Sequence, residues 1–220
     1  MIAFGAPVWV RCAAGDQPPG SVGALAANAD GLWLISANHV LAANGARQPM
    51  ADPSHGVYVR DRRVSRTIVF APLHRAGNRA DAAACLLTPQ GDFRPLWPAG
   101  WTPRCEPHLP GLRTKVKVFV AGQDRFGVVS HRGSFRVDMQ DCGLPVGLGQ
   151  VEFRDCLLVR TTDPLFKKPG NSGMLVVTAE DCRPVGLVTG TSLEKGSDYV
   201  VISLLAHVLD VLGLPEKIYI

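Results

Sequence analysis

Short strand-like apolar runs recur along this chain, and alternation of apolar and polar residues is clearest in Lys115-Val116-Lys117-Val118-Phe119-Val120. A period of two sends successive side chains to opposite faces, so the run predicts a strand with one dry and one wet face. Similar runs, rich in β-branched and aromatic residues, predict strands at 6–12, 21–27, 32–35, 56–60, 67–70 and 82–87. The second half adds 115–120, 126–130, 134–139, 151–161, 174–178, 185–189 and 199–202. One segment carries a convincing helical period. Leu204, Leu205, Val208, Leu209 and Leu212 form an apolar stripe, Ser203 is placed to cap it, and Gly213 with Pro215 ends it. The expected class is all-β.

Between the halves stand Pro95, Pro98, Pro103, Pro107 and Pro110. Each proline removes a ladder donor, so this stretch cannot form a central strand. It is expected to be a connector, at about 95–112, between β units at 1–94 and 113–220.

Composition narrows the picture. At 46% hydrophobic and 19% charged, the 220 residues can build a sizeable core, which excludes a mainly disordered chain. The net charge of +4 is scattered, apart from Arg60, Arg62, Arg63 and Arg66, and no aromatic platform is expected beside that cluster. A solvated surface is expected there, with no nucleic-acid partner. No run is long and apolar enough to span a bilayer, and the first residues lack a signal-peptide pattern, so the expectation is a cytoplasmic protein without a membrane partner. The six cysteines (Cys12, Cys85, Cys105, Cys142, Cys156, Cys182) form no Cys-x-x-Cys, so zinc is not expected. Cys85 reads as a small buried hydrophobe. Cys142 and Cys156 flank a Gly/Pro-rich turn and could pair across a hairpin, although free thiols are the simpler expectation.

The strongest chemical signal is Pro169-Gly170-Asn171-Ser172-Gly173, just before the apolar run Met174-Leu175-Val176-Val177. A serine in a tight turn before a strand is held on rigid backbone, and its glycine neighbours admit unusual backbone angles. The amides of Gly170 and Ser172 can then converge on one point, where a negative oxygen would develop in acyl transfer. An alcohol is a weak nucleophile and needs a base. His39, just after the apolar run Trp33-Leu34-Ile35, is the candidate. Asp81, a lone acid leading into Ala82-Ala83-Ala84-Cys85, is the candidate carboxylate to orient that base.

These segments resemble the trypsin/chymotrypsin-like serine peptidase family, which uses the chain order His, Asp, Ser. Ser36-Ala37-Asn38-His39-Val40 resembles its Thr-Ala-Ala-His segment, Asp81-Ala82-Ala83 its Asp-Ile-Ala, and Gly170-Asn171-Ser172-Gly173 its Gly-Asp/Asn-Ser-Gly. The last strand, Tyr199 to Ser203, and its helix resemble those of bacterial high-temperature-requirement proteases, and Asn171 resembles the residue of both high-temperature-requirement and glutamyl-endopeptidase members. The resemblance covers about residues 6–213. It implies a single peptidase domain of two six-stranded antiparallel β-barrels with a short C-terminal helix. It implies peptide-bond hydrolysis of protein or peptide substrates by His39, Asp81 and Ser172, with an oxyanion hole at Gly170 and Ser172 and no cofactor. A substrate pocket is implied at Phe166 and Lys167, with Thr189, Gly190 and Thr191 as the opposite wall.

The departures matter. With no acid at Phe166, a preference for Arg or Lys is not supported, and Asp163 reaches the pocket only if its loop is remodelled. Asn171 stands where digestive relatives carry an aspartate that pairs with a new N-terminus, so activation of that kind is not expected. Val40 replaces a cysteine of secreted relatives, in keeping with a cytoplasmic home. Asn38 and Met174 replace small family residues, which keeps a catalytically weak, protease-like binding module as the alternative. An esterase is a third reading. Control by a separate regulatory protein is expected.

Overall fold

A computed structural model describes residues 1–12, 15–16, 19–47, 54–88, 93–102, 104–140, 142, 144 and 148–219. The first half carries β1 (Pro7–Cys12), β2 (Ala24–Asn28), β3 (Gly31–Ser36), β4 (Gly56–Val59), β5 (Arg62–Ser65), β6 (Thr67–Phe70) and β7 (Ala83–Leu86). These strands form two sheets. One has the order β2-β3-β7-β6; the other joins β1, β4 and β5, with the short strands Gly15–Asp16 and Gly20–Ser21 against β1. Their apolar faces meet in a core that includes Val8, Val10, Leu25, Leu34, Ile35, Val57 and Cys85.

The second half carries β8 (Lys115–Val120), β9 (Gln123–Asp138), β10 (Gln150–Arg160), β11 (Leu175–Thr178), β12 (Pro184–Thr191) and β13 (Tyr199–Leu204). They close into an antiparallel barrel in the order β8-β9-β10-β13-β12-β11. Closure removes the sheet edges, so alternate residues such as Val116, Val118, Leu157, Val159, Val188 and Ile202 fill the interior. The architecture is all-β, as the strand pattern predicts, and its two β units, a pair of packed sheets followed by a closed six-stranded barrel, agree with the double-barrel fold that the resemblance implies.

Several elements differ from the sequence reading. The strands expected at 126–130 and 134–139 are one strand, β9, bent by register shifts at Val129/His131 and Gly133/Phe135. Such irregularities break the period-two pattern without ending the pairing. Strand β5 was not expected, and Pro95–Leu96 pairs with Ile2–Ala3 as a short parallel edge. Two aromatics stand beside the arginine cluster after all. Trp9 and Tyr58 face each other across β1 and β4 and stack with ring centroids 4.5 Å apart, while Trp9 Nε1 donates to the Arg60 carbonyl. Arg11 lies over both rings.

The C-terminal helix, α2 (Leu205–Val211), starts later than expected, and its N-cap is Leu204, without a side-chain cap. Ser203 is a buried residue of β13 with another partner, described below. No disulfide joins any of the six cysteines. Burial pushes the thiols of Cys85 and Cys156 up to about 12. Among the described residues no helix is long and apolar enough to cross a membrane.

Candidate active site

Strand β3 runs directly into a four-residue helix, α1 (Asn38–Leu41), which carries His39. Asn38, where a small residue was expected, is fully buried and its amide is fully used. It donates to the Ala71 carbonyl at 2.6 Å and to Asn44 Oδ1 at 3.1 Å, and accepts from the Asn44 amide at 2.9 Å. Asn44 has a left-handed backbone (φ 55°) and in turn exchanges two hydrogen bonds with Leu73. The asparagine pair therefore pins α1 to the segment that leads toward Asp81. Met174 is likewise absorbed, buried in the second barrel's core.

Asp81 lies just before β7, beside β3, and only 1% of it is exposed. Its carboxylate meets His39 twice. Oδ2 is 2.5 Å from His39 Nδ1, and Oδ1 accepts from the His39 amide at 3.2 Å. A carboxylate against Nδ1 holds the proton there and leaves Nε2 as the free basic nitrogen. The Asp81 amide donates to Ser203 Oγ at 3.1 Å, and Ser203 Oγ is 2.8 Å from Thr189 Oγ1. Ser203 thus anchors the main chain at Asp81. Its local context suggested a helix cap because the true partner lies 122 residues away in the chain.

The Ser172 turn is held from three sides. Ser21 donates from its amide to the Ser172 carbonyl (2.9 Å) and from its hydroxyl to the Gly170 carbonyl (2.8 Å). The Gly173 amide donates to the Val188 carbonyl of β12 at 2.8 Å. The Asn171 side chain, buried, donates to the carbonyls of Leu165 (2.6 Å) and Phe166 (3.1 Å). Gly173 has φ +83°, and a Cβ there would overlap Ser36 Oγ and lie 2.9 Å from both the Ala37 amide nitrogen and the Ser21 carbonyl oxygen. A Cβ on Gly20 would overlap the Val40 methyl groups and lie 3.0 Å from the Ser172 carbonyl oxygen. The strand Gly20–Ser21 is therefore wedged between α1 and the Ser172 turn, and glycine is what lets the two approach.

These contacts bring the Ser172 turn and the His39 helix to one place at the junction of the two halves. Ser172 Oγ itself makes no hydrogen bond among the described residues. Three amides of the turn are engaged, those of Asn171, Gly173 and Met174. Among the described residues those of Gly170 and Ser172 have no acceptor.

The expected pocket residues are spread through the second barrel. Phe166 has no exposed surface and packs in the barrel core. Lys167 extends to Asp198, with Nζ 2.9 Å from Oδ1. Thr189 is buried through its bond to Ser203, Gly190 packs on Val137, and Thr191 is exposed at the end of β12. Asp163 is 3.6 Å from Arg125 and accepts from the Leu165 amide.

Two β units meeting at a junction that holds His39, Asp81 and Ser172 have the fold of the chymotrypsin-like serine proteases. Solved structures of bacterial members superpose along the chain. A glutamic acid specific serine protease that uses a histidine triad in substrate binding is 13% identical, with a TM-score of 0.65, covering 99% of this chain and all of its own. Thermobifida fusca protease A is 15% identical, with a TM-score of 0.59 over 99% of this chain and 98% of its own. Nocardiopsis protease is 16% identical, with a TM-score of 0.58 over the whole of both chains. No family model and no curated protein matches the sequence.

Proposed function

We propose that the protein is a serine endopeptidase. His39 Nε2 takes the Ser172 hydroxyl proton as Oγ attacks the scissile carbonyl carbon. The resulting oxyanion is received by the free Gly170 and Ser172 amides, a type of donor worth about 2.7–4 kcal/mol of barrier each. The imidazolium returns its proton to the leaving amine, leaving an acyl ester on Ser172. Water, deprotonated by His39, then releases the acid and restores the hydroxyl. Asp81 keeps the proton on Nδ1 and stabilises the imidazolium throughout. The observation that carries this reading is the double contact between Asp81 and His39.

For the substrate we favour the end of β12, where Gly190 is half-buried and Thr191 is exposed, with Phe166 and Thr189 acting from behind and Lys167 at the rim. Thr189 is bonded to Ser203, and Gly190 lies against Val137 and pairs with Val201. Protein or peptide chains are the proposed substrates, no cofactor takes part, and a separate regulatory protein is the proposed control. Six cysteines with no disulfide among them suit the reducing cytoplasm.

One observation favours the second reading, a protease-like binding module: Ser172 Oγ lacks a bond to His39. In resting enzymes such bonds are often long and tighten only with substrate, so the hydrolase reading stands ahead. A fluorophosphonate probe separates the two. Labelling of the native protein that is lost in Ser172→Ala supports hydrolysis, whereas an unlabelled native protein, or equal labelling of the variant, refutes it.

A further inference from the structure

Arg47 is an anomaly. It is 5% exposed, yet no carboxylate pairs with it among the described residues. Buried arginines are ordinarily matched by an acid, because an unpaired guanidinium is costly to desolvate. This one is solvated by main-chain oxygens instead. Nη1 donates to the His39 carbonyl at 2.8 Å and to the Val40 carbonyl at 2.7 Å, and Nη2 donates to the Cys142 carbonyl at 2.8 Å.

The identity of these acceptors gives the arginine its meaning. Helix α1 has four residues, and the last carbonyls of any helix lack intrahelical partners. Of its four carbonyls, that of Asn38 accepts from the Ala42 amide, and those of His39 and Val40 are taken by Arg47. A cation at a helix C-terminus also meets the negative end of the helix dipole. The third acceptor belongs to the second half, in the segment after β9 whose start is closed by the Met139 amide on the Gly149 carbonyl and the Cys142 amide on the Met139 carbonyl. The guanidinium is therefore a planar bridge from that segment to the backbone of His39 itself.

We infer that Arg47 is a positioning residue: it fixes the main chain of His39, and so the direction of Nε2, and it ties that direction to the segment at Cys142. The role rests on the hydrolase reading above for its catalytic consequence, but not for its structural one. Lysine cannot replace it, since one ammonium cannot span three carbonyls in a plane as a guanidinium does.

The test uses the full chain with Arg47→Met, Arg47→Ala and Arg47→Lys. Each is assayed by the rate of fluorophosphonate labelling and by hydrolysis of a small ester, at a temperature where circular dichroism shows it folded. A lost positional constraint is expected to slow labelling and lower kcat by about 100-fold with KM little changed. Ethylguanidinium added to Arg47→Ala, which leaves open the space that methionine would fill, is expected to restore much of the rate and to leave the native protein unaffected. Independently of turnover, the downfield proton resonance of His39 Nδ1–H, assigned by its loss in Asp81→Asn, is followed in the Ser172→Ala background. It is expected to be sharp with Arg47 and broadened or absent in Arg47→Met.

An unchanged resonance in a folded Arg47→Met protein overturns the proposal, as does a rate loss in Arg47→Ala that matches the unfolded fraction and resists ethylguanidinium. If Arg47→Met does not fold, the Arg47→Lys resonance decides in the same way. A native protein that shows the resonance but takes no probe refutes the hydrolase reading and leaves the role of Arg47 standing.

Discussion

Replacing Gly173 with alanine tests how tightly the Ser172 turn is fitted to the first half. Alanine takes up the left-handed backbone found there, φ +83°, at a cost of about 1–2 kcal/mol. The new methyl group also overlaps Ser36 Oγ and stands 2.9 Å from Ala37 N and Ser21 O, inside the ~3.5 Å of ordinary contact. Nothing flexible is present to yield. Two of these neighbours are main-chain atoms, and Ser36 Oγ is held by its 2.8 Å bond to the Ser21 carbonyl. Overpacking of this kind costs about 1–3 kcal/mol, so the expected loss of stability is about 3 kcal/mol. Relief requires the turn to back away from α1, and a shift of about 1 Å in a reacting group lowers the rate by about 100-fold. Urea unfolding gives the first number. The rate of fluorophosphonate labelling, measured where the variant is folded, gives the second. A stability loss below about 0.5 kcal/mol, the range of ordinary surface changes, together with undiminished labelling would refute this account of the turn.

Asn171→Asp places a carboxylate against the Leu165 and Phe166 carbonyls in a site 6% exposed, and is expected to destabilise by about 2–3 kcal/mol in urea at neutral pH. The deficit should shrink as pH falls, because the protonated acid can donate one of the two bonds. Burial holds His207 below its ordinary value of 6.5, beside Asp155, whose own carboxyl is held below 3.8 first by Arg132. Both depressed values mean that the unfolded chain binds more protons, so the stability they supply is present at high pH. It is lost as pH falls below 6.5 for His207 and below 3.8 for Asp155. Urea midpoints should therefore decline from about pH 7 to about pH 5, and His207→Gln should flatten that decline. With iodoacetamide at about pH 8, peptide mass spectrometry of the folded protein should find Cys85 and Cys156 intact, and the half-buried Cys105 and Cys142 modified.

Much of the fold was legible because period-two alternation and β-branched or aromatic enrichment are local signals, and Lys115–Val120, read from the first, and Thr67–Phe70, read from the second, lie where those signals placed them. Strand β5 was missed because Arg62 and Arg63 are both exposed and the run has no alternation. The segments around His39, Asp81 and Ser172 could be read as motifs for the same local reason. What holds them was not legible. Ser21 reaches the Gly170 carbonyl across 149 residues, Ser203 reaches Asp81 across 122, and Arg47 reaches Cys142 across 95. A buried serine looks the same in sequence whether it caps a helix or holds the main chain of a distant aspartate. Only the packing distinguishes them.

Helix α2 follows directly on β13, a strand of the second barrel, yet Leu205, Val208, Leu209, Leu214 and Ile218 belong to one apolar cluster with the core of the first half and with Leu175, Val177 and Leu187 of the second. The Tyr219 amide donates to the Leu25 carbonyl at 2.7 Å. A ribosome delivers residues 1–94 long before it delivers 205–219, so the opening half emerges with part of its apolar interior uncovered and waits for the closing one. The first half of a chain built this way is expected to reach its full stability only once residues 205–219 have been made and docked.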